Sequence, residues 1–352
     1  VVVGVESDPA VRGAVWGPHP TEPGLDALLA QVSFEVVERP VASPVYAVCV
    51  GTPVGPDRAP DLRELEAALD QVAEVALAGA LVVIESTVPV GTTDAAAERL
   101  RRRVPGARVA ACPERVLPGR ALHELVNNPR IAGGVDPASG EAAAQWLRSF
   151  VDGPVEVVDA RTAELAKLVE NAARDVEIAL ANTVAATAAA HGVDPARLRS
   201  LVNRHPRVAL LEPGIGVGGH CLPVDPWFLI ARSPATTRLF AAAREVNDAA
   251  AGRWAAEIAR VAAGRPIGLL GLAYKADSDD PRNAPAVEVA RALARDHDVI
   301  AADPFVREAA GVSVAPLDQV LARPVVALLV AHSAYRGLRP PGVAVDACGG
   351  WA

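Results

Sequence analysis

The segment Pro213-Gly214-Ile215-Gly216-Val217-Gly218-Gly219-His220-Cys221-Leu222-Pro223-Val224-Asp225-Pro226-Trp227-Phe228 sets a thiol directly behind a four-glycine loop, with a carboxylate four residues further on. Glycines let the backbone take φ > 0 and come close to a ligand. A thiol beside such a loop can serve as a nucleophile. A lone cysteine is more often a small buried hydrophobe; the residue types around Cys221 shift that balance. An attacking thiol must reach the thiolate from an unperturbed pKa of roughly 8.5, and a lysine brought near would lower it. Of 34 lysines and arginines only two are lysine, Lys167 and Lys275. Both lie in motif-like segments, as expected where a site needs a compact ammonium that arginine cannot replace.

Lys167 belongs to a set, Glu164, Lys167, Asn171 and Arg174, spaced by three or four so that the members share one face of a helix. Such a stripe is usually a solvated face. Lys-x-x-x-Asn could also aim an ammonium and an amide at one point, as stabilising an oxyanion requires. Asp225 could hold or activate a water. Cys112-Pro113-Glu114-Arg115-Val116-Leu117-Pro118-Gly119 brings an acid and a base to the sheet edge where α/β sites form, or is a surface ion pair. Glu85-Ser86-Thr87-Val88-Pro89-Val90-Gly91-Thr92-Thr93 offers hydroxyls and N–H groups at a helix N-terminus, suited to an anion or a nicotinamide ribose, or is a capped turn. Glu6 ends the first strand. An acid at the end of the second strand of a dinucleotide fold bonds ribose hydroxyls; the same residue could be an exposed turn. Gly271-Leu272-Ala273-Tyr274-Lys275, then Asp279-Asp280-Pro281-Arg282, sets a lysine and an arginine at a strand's C-terminal end, which suits a diphosphate. Arg244-Glu245-Val246-Asn247 adds a basic-amide pair, and each of these could be plain surface charge. Cys49 has no such neighbours and reads as core.

These residues need a frame. Short apolar runs alternate with amphipathic stretches, the pattern of a parallel α/β sheet. Strands are expected at 1–5, 45–50, 81–85, 108–111 and 130–133, and helices at 24–30, 61–78, 93–103 and 138–150. Asp61 is expected to cap the second of these helices, with Glu64 three residues on. The run from Thr162 to His191 contains neither Gly nor Pro and is rich in alanine, leucine and glutamate, which favour helix. At 1.5 Å per residue it would span roughly 45 Å, suiting a spine that joins two domains and offers a small-residue face to a partner subunit. A helix is expected at 236–262. After it the α/β pattern returns, with strands at 267–272, 298–302, 325–330 and 343–346 and a helix at 285–295. The two ends look like one architecture used twice.

Composition narrows the classes. At 352 residues the chain can hold two or three domains. A net charge of −8 argues against a general nucleic-acid binder. The cysteines at 49, 112, 221 and 348 show no CxxC pairing, which argues against a zinc site or a secreted disulfide framework and for a reducing cytoplasm. No uncharged apolar run reaches membrane-spanning length, and no basic-headed signal peptide is present.

Together the motifs resemble the UDP-glucose/GDP-mannose dehydrogenase family. The match runs in order through ESTVPVGTT, PERVLPG, ELAKLVENAARDVEIALAN, GIGVGGHCLPVDPWFL, AREVND and GLAYKADSDDPR. PERVLPG, the cysteine motif with Val224 where UDP-glucose dehydrogenases tend to have lysine, and AREVND are most like the family's UDP-N-acetyl-D-mannosamine 6-dehydrogenases. The resemblance implies an α/β fold with two Rossmann-like doubly wound domains joined by a long central helix. Expected boundaries are 1–155 for NAD binding, 156–255 for a dimerising helical region with the cysteine loop, and 256–352 for UDP-sugar binding. It implies a four-electron oxidation of C6 with NAD, through a thiohemiacetal and a thioester on Cys221. Lys167 and Asn171 would stabilise oxyanions, and Asp225 or Glu114 would activate water that Thr87 helps to place. Cofactor contacts are implied for Glu6, Thr52, Pro53, Ser86, Thr87 and Arg282. Substrate contacts are implied for Arg115, Val116, Lys167, Asn171, Arg174, Gly218, His220, Arg244, Asn247 and Lys275.

Two features depart from the family pattern. No GxGxxG loop precedes the first strand. One missing βα step amounts to roughly 30 residues, and the expected cause is a mis-called start codon or a partial chain. A chain natural in this form should bind NAD poorly. Pro281, Asn283 and Ala284 stand where Leu, Glu and Ser are usual, which leaves part of the substrate clamp open. Two other readings stay open. A two-electron β-hydroxyacid-type dehydrogenase would not need the C-terminal third. A non-catalytic nucleotide-sugar binder would not need the intact Cys221, Lys167 and Asn171.

Overall fold

The computed structural model describes residues 2–19 and 22–351. Val1 of the expected first strand, and Ala352, lie outside them. The chain forms two compact units, residues 1–170 and 171–352.

In the first unit β1 (Val3–Val5) and β2 (Glu35–Val37) make a parallel pair, with α1 (Pro9–Ala14) and α2 (Leu25–Leu29) between them. A second sheet holds β3 (Val45–Val48), β4 (Leu81–Ile84), β5 (Arg108–Ala111), β6 (Arg130–Gly134) and β7 (Val155–Asp159), in that order. Its pairings are parallel except β5 with β6. The connections are α3 (Arg63–Val75), α4 (Thr92–Arg101), α5 (Ala121–Asn127) and α6 (Pro137–Leu147). Among the described residues no strand pairing joins β1 and β2 to this five-stranded sheet. β4 is covered on both faces, which is why it reads as an unbroken apolar run. Val82 and Ile84 pack with Leu65, Leu69 and Val72 of α3 and Leu100 of α4. Leu81 and Val83 pack with Ala143, Ala144 and Leu147 of α6.

The long helix α7 (Ala160–Ala190) follows β7 directly. The Asp159 carboxylate accepts from the Thr162 N–H and hydroxyl and so starts it. Gly192, at φ +68, lies just past its end.

The second unit continues with α8 (Pro195–Val202), α9 (Asp225–Arg232), α10 (Arg238–Asp248) and α11 (Ala250–Ala262). A four-stranded parallel sheet follows, built of β8 (Ile267–Leu270), β9 (Val299–Ala302), β10 (Val325–Leu328) and β11 (Val343–Asp346), with α12 (Pro285–Leu293) and α13 (Leu317–Leu321) as connections. The order β11-β10-β8-β9 reverses direction at β8. Open α/β sheets bind ligands beyond the carboxyl ends of the strands at such a reversal. Gly271 lies just past β8 at φ +95, and a Cβ there would come within 2.5 Å of Val330 Cβ, so the close approach requires glycine. Ile267 and Leu269 pack with Ile258, Ala262, Val289 and Leu293, while Leu270 faces Val320 and Tyr335.

The structure corrects several expectations. The helix expected at 236–262 is two helices, α10 and α11, with Ala249 at the joint. Asp61 does not cap α3; Leu62 holds that position, and the Asp61 carboxylate instead accepts from the N–H and guanidinium of Arg63. The arginine two residues on draws the carboxylate into a turn one step early. Cys49 is exposed just beyond β3, the edge strand of its sheet, rather than core. No helix among the described residues is long and apolar enough to cross a membrane.

Candidate active site

In the first unit candidate site residues Glu85, Ser86, Thr87 and Glu114 lie past the carboxyl ends of β4 and β5. Glu85 follows β4 and pairs with Arg130 at 3.1 Å, Arg130 being 1% exposed. Burial pushes the Glu85 carboxyl up, with Arg130 pulling the other way. Burial likewise pushes Glu114 up, and the Lys167 ammonium and Arg130 guanidinium oppose it. Glu85, Glu114, Arg130 and Lys167 thus share one electrostatic neighbourhood. Val116 donates its N–H to the Glu114 carboxylate. Arg115 pairs with Glu170 at 2.5 Å.

The turn after β4 is built from within. Ser86 Oγ donates to the Val50 carbonyl at 2.8 Å, and Thr52 Oγ1 donates to the Thr87 carbonyl at 2.6 Å. The Pro53 carbonyl takes the N–H of Asp61. At the start of α4, the Gly91 and Thr93 N–H groups donate to the Glu164 carboxylate at 2.6 and 2.7 Å, and Thr92 N–H donates to the Pro89 carbonyl. These three amides at the helix end are thus bonded inside the chain. The solvated-face reading of Glu164 and Lys167 fails: they are 3% and 9% exposed. Glu6 closes β1, where its N–H bonds the Val37 carbonyl and its carboxylate accepts from Asp8 N–H.

In the second unit Cys221 stands half-buried at the entrance to α9. Its carbonyl accepts from the N–H groups of Val224 and Asp225 at 3.0 and 2.8 Å. Asp225, 3% exposed, takes the Asn171 amide at 2.5 Å. The structure thus brings Cys221, Asp225 and Asn171 together. Gly218 and Gly219 lie against the loop after β8: a Cβ on Gly218 would meet Pro285 Cδ at 2.6 Å, and one on Gly219 would meet the Tyr274 ring at 3.0 Å. Burial raises the Tyr274 hydroxyl, with the nearby Asp280 adding to it. Lys275 Nζ lies 5.8 Å from the Tyr274 ring centre. Arg282 pairs with Asp280 at 2.7 Å, and His220 is exposed nearby.

Three residues read from the sequence as ligand contacts are paired within the chain, and two of them, Arg244 and Asn247, line a cavity with Val217, Pro223 and Val224 of the cysteine loop. Arg174 is exposed and paired with Glu177. Arg244 and Asn247 are each 2% exposed and face inward. Arg244 bonds Asp175 at 2.6 Å and also Asp248, and Asn247 bonds Asp175 at 2.8 Å and Asn182 at 3.0 Å. The sequence reading missed Asp175 and Asn182. The signal was present, since both follow Asn171 at helical spacing, by four and eleven residues, inside an otherwise alanine-rich helix.

Comparison with known proteins matches this geometry. Sequence models of the NAD-binding, central and UDP-binding domains of the UDP-glucose/GDP-mannose dehydrogenase family match residues 3–151, 161–249 and 268–347. The chain is 39% identical over 365 residues to the NDP-N-acetyl-D-galactosaminuronic acid dehydrogenase of Ralstonia nicotianae, covering 95% of this chain and 86% of that one. It is 38% identical over 347 residues to the UDP-N-acetyl-D-mannosamine dehydrogenase of Escherichia coli, covering 89% and 83%. Among solved structures, the UDP-D-ManNAc dehydrogenase of Pyrococcus horikoshii superposes with a TM-score of 0.89 at 35% identity, covering 99% and 89%. With three domains matched in order around a cysteine loop, a paired amide and a sheet reversal, the chain belongs to the UDP-glucose/GDP-mannose dehydrogenase family and is an NAD-dependent nucleotide-sugar dehydrogenase.

Proposed function

We propose that the chain oxidises C6 of UDP-N-acetyl-D-mannosamine to the uronate in two NAD-dependent steps, through a thiohemiacetal and a thioester on Cys221. The observation that carries this reading is the grouping of Cys221 with the Asn171–Asp225 pair at the start of α9. An alcohol-to-aldehyde enzyme has no use for a thiol there; an aldehyde-to-acid step does. The Cys221 thiolate adds to the aldehyde carbon, and the oxyanion formed is stabilised by the Asn171 amide and by Lys167, one turn earlier on the same helix. After the second oxidation the thioester is cleaved by water, whose proton passes to Asp225 or Glu114, with Thr87 placing the water. The acid is released and the thiol restored.

Glu6 fits the cofactor: it directly follows β1, and an acid ending a strand in this way meets the ribose hydroxyls in dinucleotide folds. Thr52, Pro53, Ser86, Thr87 and Arg282 are the other residues assigned to hold NAD, which when bound supplies the acceptor for hydride leaving C6. Arg115, Val116, Arg174, Gly218, His220, Arg244, Asn247 and Lys275 are assigned to the nucleotide-sugar. We further assign the chain to the cytoplasm, to polysaccharide synthesis, and to a homodimer through α7, with boundaries near 155 and 255.

The 39% identity to an N-acetyl-galactosaminuronic acid enzyme favours a second reading, in which another 2-acetamido sugar is the substrate. One assay separates these: NAD with UDP-ManNAc, UDP-GlcNAc, UDP-GalNAc or UDP-glucose. Two NADH per UDP-ManNAc are expected, with Cys221→Ser losing uronate. A single NADH per sugar, or unchanged activity in Cys221→Ala, would sink the four-electron reading.

A further inference from the structure

The loop bearing Cys221 is held by side chains that do none of its chemistry. Gly214, at its start, donates its N–H to Asn182 Oδ1 at 2.8 Å, and its carbonyl accepts from Trp254 Nε1 at 3.1 Å. Asn182 is itself fixed through Asn247 to Asp175, all three being buried. At the far end, two residues before Cys221, the Gly219 carbonyl accepts from Asn283 Nδ2 at 3.1 Å. Between these grips Gly216 and Gly219 take φ of +126 and +88, and Gly218 lies against Pro285 and the Asn283 carbonyl. Asn283 sits at φ +50, a left-handed conformation that Asn and Asp tolerate well.

We propose that Asn283 is a positioning residue: its amide latches the Gly219 carbonyl and so sets where the Cys221 thiol stands when it meets C6. The proposal rests on the nucleophilic role given to Cys221 above. A thiol displaced by about 1 Å can cost roughly a hundredfold in rate. An aldehyde waiting on a misplaced thiol has time to leave.

Asn283→Asp and Asn283→Gly both keep the left-handed backbone and both remove the donor. In each, hydrogen exchange of the amides of residues 214–221 is expected to rise about three- to tenfold, the size of one ordinary hydrogen bond. With UDP-ManNAc and NAD, kcat should fall about tenfold while KM for the sugar stays within about threefold. Aldehyde trapped by semicarbazide should appear where the parent enzyme gives none. Unchanged exchange and unchanged aldehyde partition in both variants would overturn the latch. So would a Tm loss that tracks kcat with no aldehyde released, since that marks a merely structural residue. If the parent enzyme makes no uronate from any UDP-sugar, the functional reading fails, and the exchange measurement still decides the latch.

Discussion

Burial would push the Asp303 carboxyl up, but His332 Nε2 at 3.0 Å and the N–H groups of Leu272, Val306 and Phe305 outweigh it, leaving it at about 2. The ordinary value is 3.8. A carboxyl depressed in the folded state stabilises fully above its unfolded pKa, and that stability is lost as pH falls through the folded one. Asp303 should therefore contribute about 2 kcal/mol above pH ~4 and lose it toward pH ~2. In urea unfolding, Asp303→Asn is expected to be less stable than the parent at pH 7 by about 2–4 kcal/mol. The gap should narrow by pH 3; an equal gap at both pH values would show that the charge is not what Asp303 contributes. Because Leu272 and Ala273 open the loop that carries Lys275, the same variant should bind UDP more weakly. Cys221 with Asp225, and Lys167 with Asn171, stood out in the sequence because each pair is only four residues apart. His332 did not, because its partner Asp303 lies 29 positions away. Arg244 and Asn247 were read as ligand contacts from the resemblance, or else as surface charge, and only the fold reveals their buried partner Asp175.

At the scale of elements, Glu164 ties α7 to the turn that follows β4. Its carboxylate takes two backbone N–H groups and the Thr93 hydroxyl, all partly or wholly buried. Glu164→Ala removes a helix cap and leaves buried donors without acceptors, so a loss of about 2–3 kcal/mol is expected. Urea unfolding would show it as a lower midpoint at unchanged slope; a loss under about 0.5 kcal/mol would deny the tie. The strands the sequence announced are those buried on both faces: β4, β8 and β10 are fully buried runs of Leu, Val, Ile, Ala and Gly. β2 and β7 escaped notice because each carries a glutamate and is partly exposed. The break between α10 and α11 was invisible for another reason. Ala249 keeps helical dihedrals at φ −77 and ψ −13, and alanine favours helix on either side of it.

For the whole molecule, the question is what covers α7. A 31-residue helix spans roughly 45 Å, and its buried positions include Ala163, Leu168, Ala172, Ala179, Ala181 and Ala188. Leu165, Val169 and Leu180 are instead 43%, 42% and 52% exposed. Their separations of four and eleven residues place them along one side of the helix, the arrangement of an apolar seam that a second copy would bury. Helical periodicity in the sequence located the helix, but exposure along it depends on which neighbours the fold supplies. A stable interface needs on the order of 1,000 Å² or more, and three large side chains flanked by alanines on a long helix can anchor one. The parent chain should sediment as a dimer at micromolar concentration. The double variant Leu165→Glu, Val169→Glu should sediment as a monomer with its far-ultraviolet circular dichroism unchanged, because two buried like charges on each copy would face each other across the seam. A parent that sediments as a monomer at tens of micromolar, or a double variant that stays dimeric, would remove α7 as the dimer axis.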